Sequence, residues 1–400
     1  MRAYGVAIIA AAVLGCGSAY AEIASDTIKI GVLSDLSGIY EAGAGNGSVE
    51  AAKMAAQEFG GKINGKPIEI LAGDHQNKPD LGASIANRWY DVDKVDAIAE
   101  LVNSAVAFAV LDIAKQKNKA ILLAGAGSAD FTGKACAPDN SVHWVYDSYE
   151  LGAAIGAAVP QLGKKWFLFN ADYAFGAAME AGVRRALEAQ GATVVGSIKH
   201  PLGTTDFSSY VLQAKAANPD VIALNSGGDD TNNAIKAARE FGLNAKLVGF
   251  GVDLPSGIKA MGLDTAQGVW YVTPWVQRDD AETKAWVDKF MAARKVPPGS
   301  FQVGLYSAVK NYLKAVQATN STNPKVVIAK MRETPVRDVF TDDGYLRPDG
   351  RMVHSVALMQ IKTPAESKGE WDLTKVIAKL PGDKVFRPLA DGACPALAGK

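Results

Sequence analysis

Short apolar runs alternate with longer runs of helical periodicity along the first two thirds of this chain. The series opens with "TIKIGVL" at 27–33, "VEAAKMAAQEF" at 49–59 and "KPIEILAG" at 66–73. Strands buried on both faces read as nearly continuous apolar runs, and a helix between two such strands joins them in parallel. The alternation therefore predicts an α/β fold, with doubly wound parallel sheets covered by helices on both faces.

The alternation occurs twice. A first series ends near "KAILLA" at 119–124, and a second includes "KKWFLFNA" at 164–171. Beyond about residue 280 three helical segments follow one another, and the segment 343–362 has the alternation and "PDG" turn chemistry of a hairpin. These late elements lack the strands for a third α/β unit, so we expect them to pack onto the first two.

This order predicts two lobes that the chain enters more than once. We assign 22–145 plus about 275–340 to an N-terminal lobe, and 146–274 plus about 341–380 to a C-terminal lobe. We expect the tail 381–400 to return to the N-terminal lobe. Several crossing segments make a hinge, and the cleft between hinged lobes is the expected ligand site.

The start of the chain has the features of an export signal. Arg2 precedes the apolar "VAIIAAAVLG", and the small-x-small sequence "AYA" at 19–21 precedes Glu22. These features predict a signal peptide over residues 1–21 and a periplasmic mature protein. A lipid anchor at Cys16 is the less favoured alternative, because the bulky Leu14 fits a lipoprotein site poorly. No other run is apolar and long enough to predict a transmembrane helix.

Charge and motifs argue against several classes of function. The chain has 42 basic and 42 acidic residues, and no basic stripe suggests nucleic acid or an anionic membrane. No nucleophile elbow, P-loop or HExxH zinc motif is present, and the glycine loop at 125–130 has Asp130 where a dinucleotide fingerprint needs a third glycine. We therefore predict no enzymatic activity, no metal and no cofactor.

Removal of the signal peptide would leave two cysteines, Cys136 and Cys394. An oxidising compartment allows them to pair, and a bridge would hold the C-terminal tail against the first half of the chain. Two free thiols are the alternative.

Three loops of the first lobe follow strand ends and carry small polar residues, at 34–48, 102–108 and 124–133. Two of them lead directly into predicted helices, whose first N–H groups and dipole favour anions. Ordinary helix caps and turns explain any one such loop. Three of them favour a ligand site, because the carboxyl ends of parallel strands meet at one edge of a sheet.

The second lobe offers loops at its own strand ends, at 170–176, 225–230 and 249–255. The first crossover carries Tyr146 and Tyr149. Single aromatic residues usually belong to a core, and on a crossover we weigh core and cleft positions equally. The cleft is therefore predicted to have polar loops on one side and aromatic residues on the other.

These loops resemble a known family. Four segments are similar, in kind and in order, to segments of the periplasmic solute-binding proteins of ABC importers, in the branched-chain amino acid group. They are "IKIGVLSDLSGIYEAGAGNGSVEAAKMA" at 28–55, "NGKPIE" at 64–69, "ANPDVIAL" at 217–224 and "GLDTAQG" at 262–268. The resemblance covers nearly the whole mature chain. It implies a type I periplasmic-binding-protein fold with three crossovers, a small ligand between the lobes, and delivery to ABC permease subunits. We expect a monomer.

The resemblance also implies a binding site. Amino-acid binders of the family hold the ligand carboxylate with hydroxyls and backbone N–H groups of first-lobe loops, and Asn103, Ser104 and 126–128 occupy the matching places here. Loops and resemblance together predict one set of ligand-binding residues: Ile39, Tyr40, Asn103, Ser104, Ala126, Gly127, Ser128, Tyr149, Tyr173, Phe175, Gly228, Asp229 and Val252.

Two departures from the family bear on the ligand. The glutamate that pairs with a ligand ammonium is replaced by Gly251 or Val252, and a second-lobe tyrosine is replaced by Gly227 and Gly228. A buried ammonium without a partner is costly, so we expect an aromatic or related organic acid. The alternatives are a branched-chain amino acid, an amide or urea, a ligand-sensing role beside a receptor, and an exported enzyme.

Overall fold

The computed structural model describes residue 23, residues 25–251 and residues 254–398. The predicted signal peptide with Cys16, and the predicted ligand residue Val252, lie outside these residues.

Strands and helices alternate as the sequence predicts. The strands are β1 (Ile28–Ser34), β2 (Lys62–Ile63), β3 (Lys66–Asp74), β4 (Ala97–Glu100), β5 (Ala120–Leu123), β6 (Ser141–His143), β7 (Lys165–Ala171), β8 (Thr193–His200), β9 (Val221–Asn225), β10 (Lys246–Gly249), β11 (Trp270–Thr273), β12 (Tyr345–Leu346), β13 (Met352–Val353), β14 (Val356–Ile361) and β15 (Thr374–Leu380). The helices are α1 (Gly45–Gln57), α2 (Pro79–Asp91), α3 (Ser104–Gln116), α4 (Ser148–Gly156), α5 (Val159–Leu162), α6 (Ala174–Ala189), α7 (Ser208–Ala217), α8 (Asp229–Glu240), α9 (Pro255–Met261), α10 (Leu263–Ala266), α11 (Ala281–Arg294), α12 (Ser300–Thr319), α13 (Pro324–Arg332) and α14 (Gly382–Val385).

Two sheets organise the chain. The first has the order β2-β3-β1-β4-β5-β6 and is parallel except for the short β2. The second has the order β15-β14-β11-β10-β9-β7-β8, and its last two strands in the chain, β14 and β15, run antiparallel at one edge. The predicted α/β class with two doubly wound, mainly parallel sheets is confirmed.

The central strand of the first sheet shows how close packing fixes the layers. The β1 segment is buried at all but one residue. A Cβ atom at Gly31 would lie 2.3 Å from the Trp89 ring of α2, so only glycine lets this helix approach the strand so closely. The covering helices therefore leave the carboxyl ends of the strands as the available binding edge.

The late helices return to the first sheet. Helix α12 packs against α1 and against β2, β4 and β5, while β14 and β15 extend the second sheet. The chain thus passes between the two sheets at 144–148, 274–280 and 353–356. The exact lobe boundaries stay a prediction.

The predicted bridge between Cys136 and Cys394 is present, with a sequence separation of 258. It attaches the tail to the loop that follows β5, on the side of the first sheet.

Some element boundaries differ from the sequence prediction. Helix α1 begins at Gly45 rather than Val49, and its first turn packs against α12, where a Cβ at Gly47 would lie 2.3 Å from the side chain of Gln302. Tertiary packing here outweighs the low helix propensity of glycine. The segment 151–163 is broken between α4 and α5, where Pro160 lies in the first turn of α5.

The predicted hairpin is only partly as expected. Strands β12 and β13 pair around the "RPDG" turn, with two residue pairs. The following strand β14, which we assigned to the same hairpin, pairs instead with β11 and β15. Its apolar sequence is buried at all but one residue, which a small exposed hairpin cannot provide.

Candidate functional site

A pocket lies where loops from the carboxyl ends of both sheets meet, and we call it the aromatic pocket. Its walls come from the loops after β1 and β4, from the loops after β7, β9, β10 and β11, and from the start of α4 and α12. No charged side chain occurs among the described residues that line it. They are Tyr40, Gly43, Val102, Tyr146, Leu151, Tyr173, Phe175, Ser226, Gly227, Gly228, Gly251, Leu254, Val272, Pro274, Ser300 and Phe301.

Two tyrosines close the pocket from opposite sides. The hydroxyl oxygens of Tyr40, after β1, and Tyr173, after β7, lie 2.6 Å apart. Burial raises the pKa of both phenols, so both keep their protons at neutral pH. One O–H is donated within the pair, and the other remains to be donated to an acceptor in the pocket.

The crossover contributes a stacked aromatic wall. The rings of Tyr146 and Phe301 are 5.3 Å apart and nearly parallel, and the Tyr146 hydroxyl donates to the Gly125 carbonyl at 2.7 Å. The crossover backbone is held by the buried Arg351, which donates to the carbonyls of Trp144 and Tyr146 at 2.9 and 3.0 Å. The stacked pair is therefore fixed to the hinge rather than to a mobile loop.

Glycines allow the two sides of the pocket to approach closely. A Cβ at Gly228, whose φ is +60°, would lie 2.3 Å from the carbonyl oxygen of Ile39. A Cβ at Gly127 would lie 2.5 Å from the Tyr146 ring and 2.6 Å from the Phe175 ring. The structure thus places Gly228 in the lining of the pocket, with Ile39 and Gly127 directly beside it.

The free space in the aromatic pocket is about 30 Å³. A buried water needs about 10–15 Å³ measured in this way, and an apolar cavity that binds benzene is about 150 Å³. The pocket as it stands accommodates two or three waters. An aromatic ring enters it only when the two sides move apart or the lining side chains rotate.

The polar groups that we predicted for a ligand carboxylate already make hydrogen bonds within the first lobe. The Ser104 hydroxyl accepts from the backbone N–H groups of Gly127 and Ser128, both at 3.2 Å. The Asn103 side chain caps α3 by accepting from two backbone N–H groups, and the Ala126 carbonyl contacts a ring nitrogen of His143 at 2.7 Å. These residues form the wall behind the pocket and do not line it.

Other predicted residues lie at a second cavity, which we call the arginine groove. Ser128 and Tyr149 line it, and its volume is about 470 Å³. Asp229 lies in the first turn of α8 and lines neither cavity. The residues that form the groove are Phe108, Ser128, Ala129, Asp130, Lys134, Ser148, Tyr149, Ala174, Ala177, Ala178, Ala181, Gly182, Arg185 and Arg387.

Two buried acids lie behind the pocket. Burial raises the pKa of Glu100, at the end of β4, to about 8, and the Ser48 hydroxyl opposes this shift without a hydrogen bond of normal geometry. Glu100 and Leu101 both have positive φ, at +83° and +58°, which is rare for two successive non-glycine residues. Burial likewise raises the pKa of Asp230 to about 6, and its Oδ2 lies 4.0 Å from a ring nitrogen of the buried His200.

The sequence did not identify several residues of the two cavities. Phe301 begins a helix that we expected only to cover a lobe, and Leu254 lies in the loop 249–255, from which we predicted only Val252. Arg185 lies in mid-helix and Arg387 in the tail. No local motif marks any of them, because each reaches its cavity through the crossing of the chain.

Among the parts of the chain that are described, no group of three or more His, Cys, Asp or Glu residues is arranged to hold a metal ion. In the same residues, no helix has both the length and the apolar character to cross a bilayer.

Two mainly parallel α/β sheets, joined by repeated crossings around a small-molecule pocket, define the class of two-lobed ligand-binding proteins. The family model for periplasmic binding proteins matches residues 27–370, and the chain belongs to this family. Its members are solute-binding proteins that work with ABC permeases, not enzymes, which confirms the predicted family and the predicted lack of catalysis.

Individual relatives agree with this assignment. A crystal structure of a periplasmic binding protein from Burkholderia mallei is 41% identical, with a TM-score of 0.88, and covers 92% of this chain and 99% of that one. The Leu-, Ile-, Val-, Thr- and Ala-binding protein of Pseudomonas aeruginosa is 23% identical over 83% of this chain and 90% of its own length. An ABC-transporter solute-binding protein from R. palustris, solved in complex with benzoate, shares the fold at 23% identity and a TM-score of 0.80, covering 89% of this chain and 97% of its own.

Proposed function

We propose that this protein is the exported binding component of an ABC uptake transporter and that it captures a small carboxylate, an aromatic or related organic acid, between its two lobes. It then delivers the acid to a membrane permease. The observation that carries the proposal is the aromatic pocket, which rings from both sheets line and in which no described lining residue is charged.

The aromatic walls suit a planar ring. Tyr146, Phe175 and Phe301 line the pocket, and the spacing of Tyr146 and Phe301 is that of an offset stack. An aromatic guest that replaces or extends such contacts gains both apolar burial and ring geometry. Glycines at 227, 228 and 251 keep that side of the pocket free of bulk.

The polar groups of the pocket favour an acceptor over an ammonium. The hydroxyl pair of Tyr40 and Tyr173 has one O–H left to donate, and a carboxylate oxygen accepts from it. Asp230, the nearby acid, already accepts from the Gly203 N–H at 3.1 Å and does not line the pocket. A ligand ammonium would therefore be buried without a counter-ion, at a cost that a carboxylate with hydroxyl donors avoids.

Binding is proposed to depend on lobe movement. The lobes are those assigned above, and the predicted ligand set remains our proposal for the residues that meet the ligand when the cleft opens. Opening would let a carboxylate reach the first-lobe loops that carry Ser104 and residues 126–128, and closure would bury it.

The comparisons support a solute-binding role, and they favour one alternative to an aromatic acid as the ligand. The R. palustris protein with benzoate bound shows that the fold accommodates an aromatic acid. The name of the P. aeruginosa relative favours a branched-chain amino acid, which is our second candidate. We propose a periplasmic location, with residues 1–21 as the signal that directs export.

A titration of refolded, ligand-stripped protein tests the proposal. Benzoate, leucine and valine would be added separately, and melting temperature and calorimetric heat would be measured. Benzoate is expected to raise the melting temperature by mass action. The calorimetric titration is expected to show binding of at least one benzoate per protein molecule. Tight binding of leucine or valine together with no response to benzoate would instead establish the second candidate.

A further inference from the structure

The arginine groove carries two guanidinium groups that make no salt bridge with any described residue. Arg185 comes from α6 and Arg387 from the tail, so the two sides of the molecule each contribute one. Neither makes a salt bridge within the parts of the chain that are described. The one acid that lines the groove, Asp130, lies 3.0 Å from the ammonium group of Lys134. The groove therefore has an excess of positive charge.

Arg185 is held in place by an aromatic ring. Its guanidinium carbon lies 3.5 Å from the centre of the Tyr149 ring, and its Nη2 donates weakly to the Tyr149 carbonyl at 3.4 Å. Burial lowers the pKa of Arg185, the nearby Tyr149 and Asp147 oppose this shift, and the positive charge of Arg387 adds to it. A stacked guanidinium keeps its edge N–H groups available for a planar oxyanion.

Arg387 is held by the loop on the opposite side. Its Nη2 donates to the Ala129 carbonyl at 2.9 Å, and its Nε is buried with no hydrogen-bond partner in the described structure. A Cβ at Gly133 would lie 2.7 Å from Nη2, so this arginine passes directly over the loop that the disulfide of Cys136 anchors. Its position is thus set by the return of the tail.

The rest of the groove suits the apolar part of an organic acid. The exposed face of α6 presents four alanines to it, and Phe108 faces them from α3. The volume of about 470 Å³ falls within the usual range for small-molecule sites, about 300–1,000 Å³. The aromatic pocket, by comparison, has far less free space.

We propose that the arginine groove is a second binding site, which takes a small carboxylate with its oxygens between Arg185 and Arg387 and its apolar body against α6. The groove includes Ser128 and Tyr149 of the predicted ligand set, but its two arginines do not line the aromatic pocket, which it adjoins at the consecutive residues Ala174 and Phe175. A carboxylate here would relieve the repulsion between the two guanidinium groups.

Crystals of the mature protein soaked with 4-bromobenzoate test this site. The anomalous signal of bromine would show whether the probe lies in the groove, in the aromatic pocket or in both. We expect bromine in the groove of the native protein and its loss in Arg185→Gln. Arg184→Gln is the matched control, because Arg184 is the neighbouring exposed residue of α6 and pairs with Glu180 outside the groove.

Calorimetry with benzoate provides the solution measurement. Arg185→Gln and Arg387→Lys are expected to weaken the groove event by about tenfold or more, as expected for loss of a charge-assisted bidentate contact. Added sodium chloride is expected to weaken it in the native protein. Arg387→Lys keeps the positive charge, and the backbone carbonyl at 387 still accepts from Arg347, so its effect separates lost guanidinium geometry from lost folding.

The outcomes separate this inference from the proposed function. Bromine only in the aromatic pocket overturns the groove site and leaves the proposed function standing. Bromine only in the groove supports the site and counts against the proposed function. Bromine in neither place, or an unchanged groove signal in Arg185→Gln, overturns the groove site.

Discussion

The sharpest test of the cleft is the substitution Gly228→Ala. The added Cβ would lie 2.3 Å from the Ile39 carbonyl oxygen, whereas ordinary contacts begin near 3.4 Å. The two backbones must therefore separate by about 1 Å. Tyr40 follows Ile39 directly, so its 2.6 Å contact with the Tyr173 hydroxyl would lengthen beyond hydrogen-bond range.

The size of the effect follows from these contacts. Loss of the hydroxyl pair costs about 1 kcal/mol, and overpacking costs about 1–3 kcal/mol. The closed state is thus destabilised by about 2–4 kcal/mol. This weakens ligand binding by about 30- to 900-fold if the ligand-bound state keeps the Ile39–Gly228 contact and the lining side chains rotate to make room. The φ of +60° adds strain to alanine in the open state as well, so that part lowers the melting temperature without changing affinity.

Calorimetry with benzoate and small-angle scattering would measure affinity and lobe closure together. Gly242→Ala is the matched control, because Gly242 has a similar φ of +59° and nothing lies within 4 Å of its added Cβ. We expect Gly242→Ala to lose stability but to bind and close normally. Native affinity and native closure in Gly228→Ala would refute the argument that this glycine is the contact between the lobes.

Three further predictions concern the pocket and its support. Tyr40→Phe and Tyr173→Phe, combined in a double-mutant cycle on benzoate affinity, should show a coupling of about 1 kcal/mol, or roughly fivefold, from their shared hydrogen bond. Glu100 keeps its proton in the folded state until about pH 8, whereas an unfolded glutamate loses it near pH 4.3. The free energy of unfolding should therefore fall by up to about 1.4 kcal/mol for each pH unit between those values. In urea denaturation, Glu100→Gln should show a flatter dependence of stability on pH. Cys394→Ser opens the bridge to Cys136 and should lower the free energy of unfolding by up to about 5 kcal/mol in thermal or urea denaturation, since the closed loop is long.

Each of these has a control within the chain. Tyr210→Phe removes a hydroxyl remote from the pocket and should leave benzoate affinity unchanged. Glu69→Gln alters a glutamate whose side chain is 51% exposed and should keep the native pH profile. The double substitution Cys136→Ser with Cys394→Ser should match the single one. A steep pH profile in Glu100→Gln would show that other groups control the acid and base limits of the fold.

Local periodicity was sufficient to predict the sheets. Runs such as that of β1 are buried along almost their whole length, so apolar character alone identified them as strands of a covered parallel sheet. The break between α4 and α5 and the early start of α1 were missed. The start of α1 involves a helix that is remote in sequence, and the break between α4 and α5 depends on the position of a single proline.

The sequence predicted several residues that line the candidate site, but it did not predict which groups they contact. Tyr40, Tyr173 and Phe175 were expected at the cleft, and all three line the aromatic pocket. Ser104 was expected to face a ligand, but its hydroxyl pairs with the N–H groups of the neighbouring loop. Phe301 reaches the pocket from far along the chain, and its approach depends on the crossings, which no local pattern specifies.

The bridge between Cys136 and Cys394 also decides how the molecule responds to force. All strands from β6 to β15 lie inside the covalent loop that it closes, and only β1 to β5 precede it. If the two ends are pulled apart, the covalent loop of 258 residues cannot be extended. About 90 nm of contour length is thereby withheld from the stretched chain. Tension then unravels the first sheet strand by strand up to Cys136 and passes through the sulfur bridge, while the second sheet and the crossover that carries Tyr146 bear none of it.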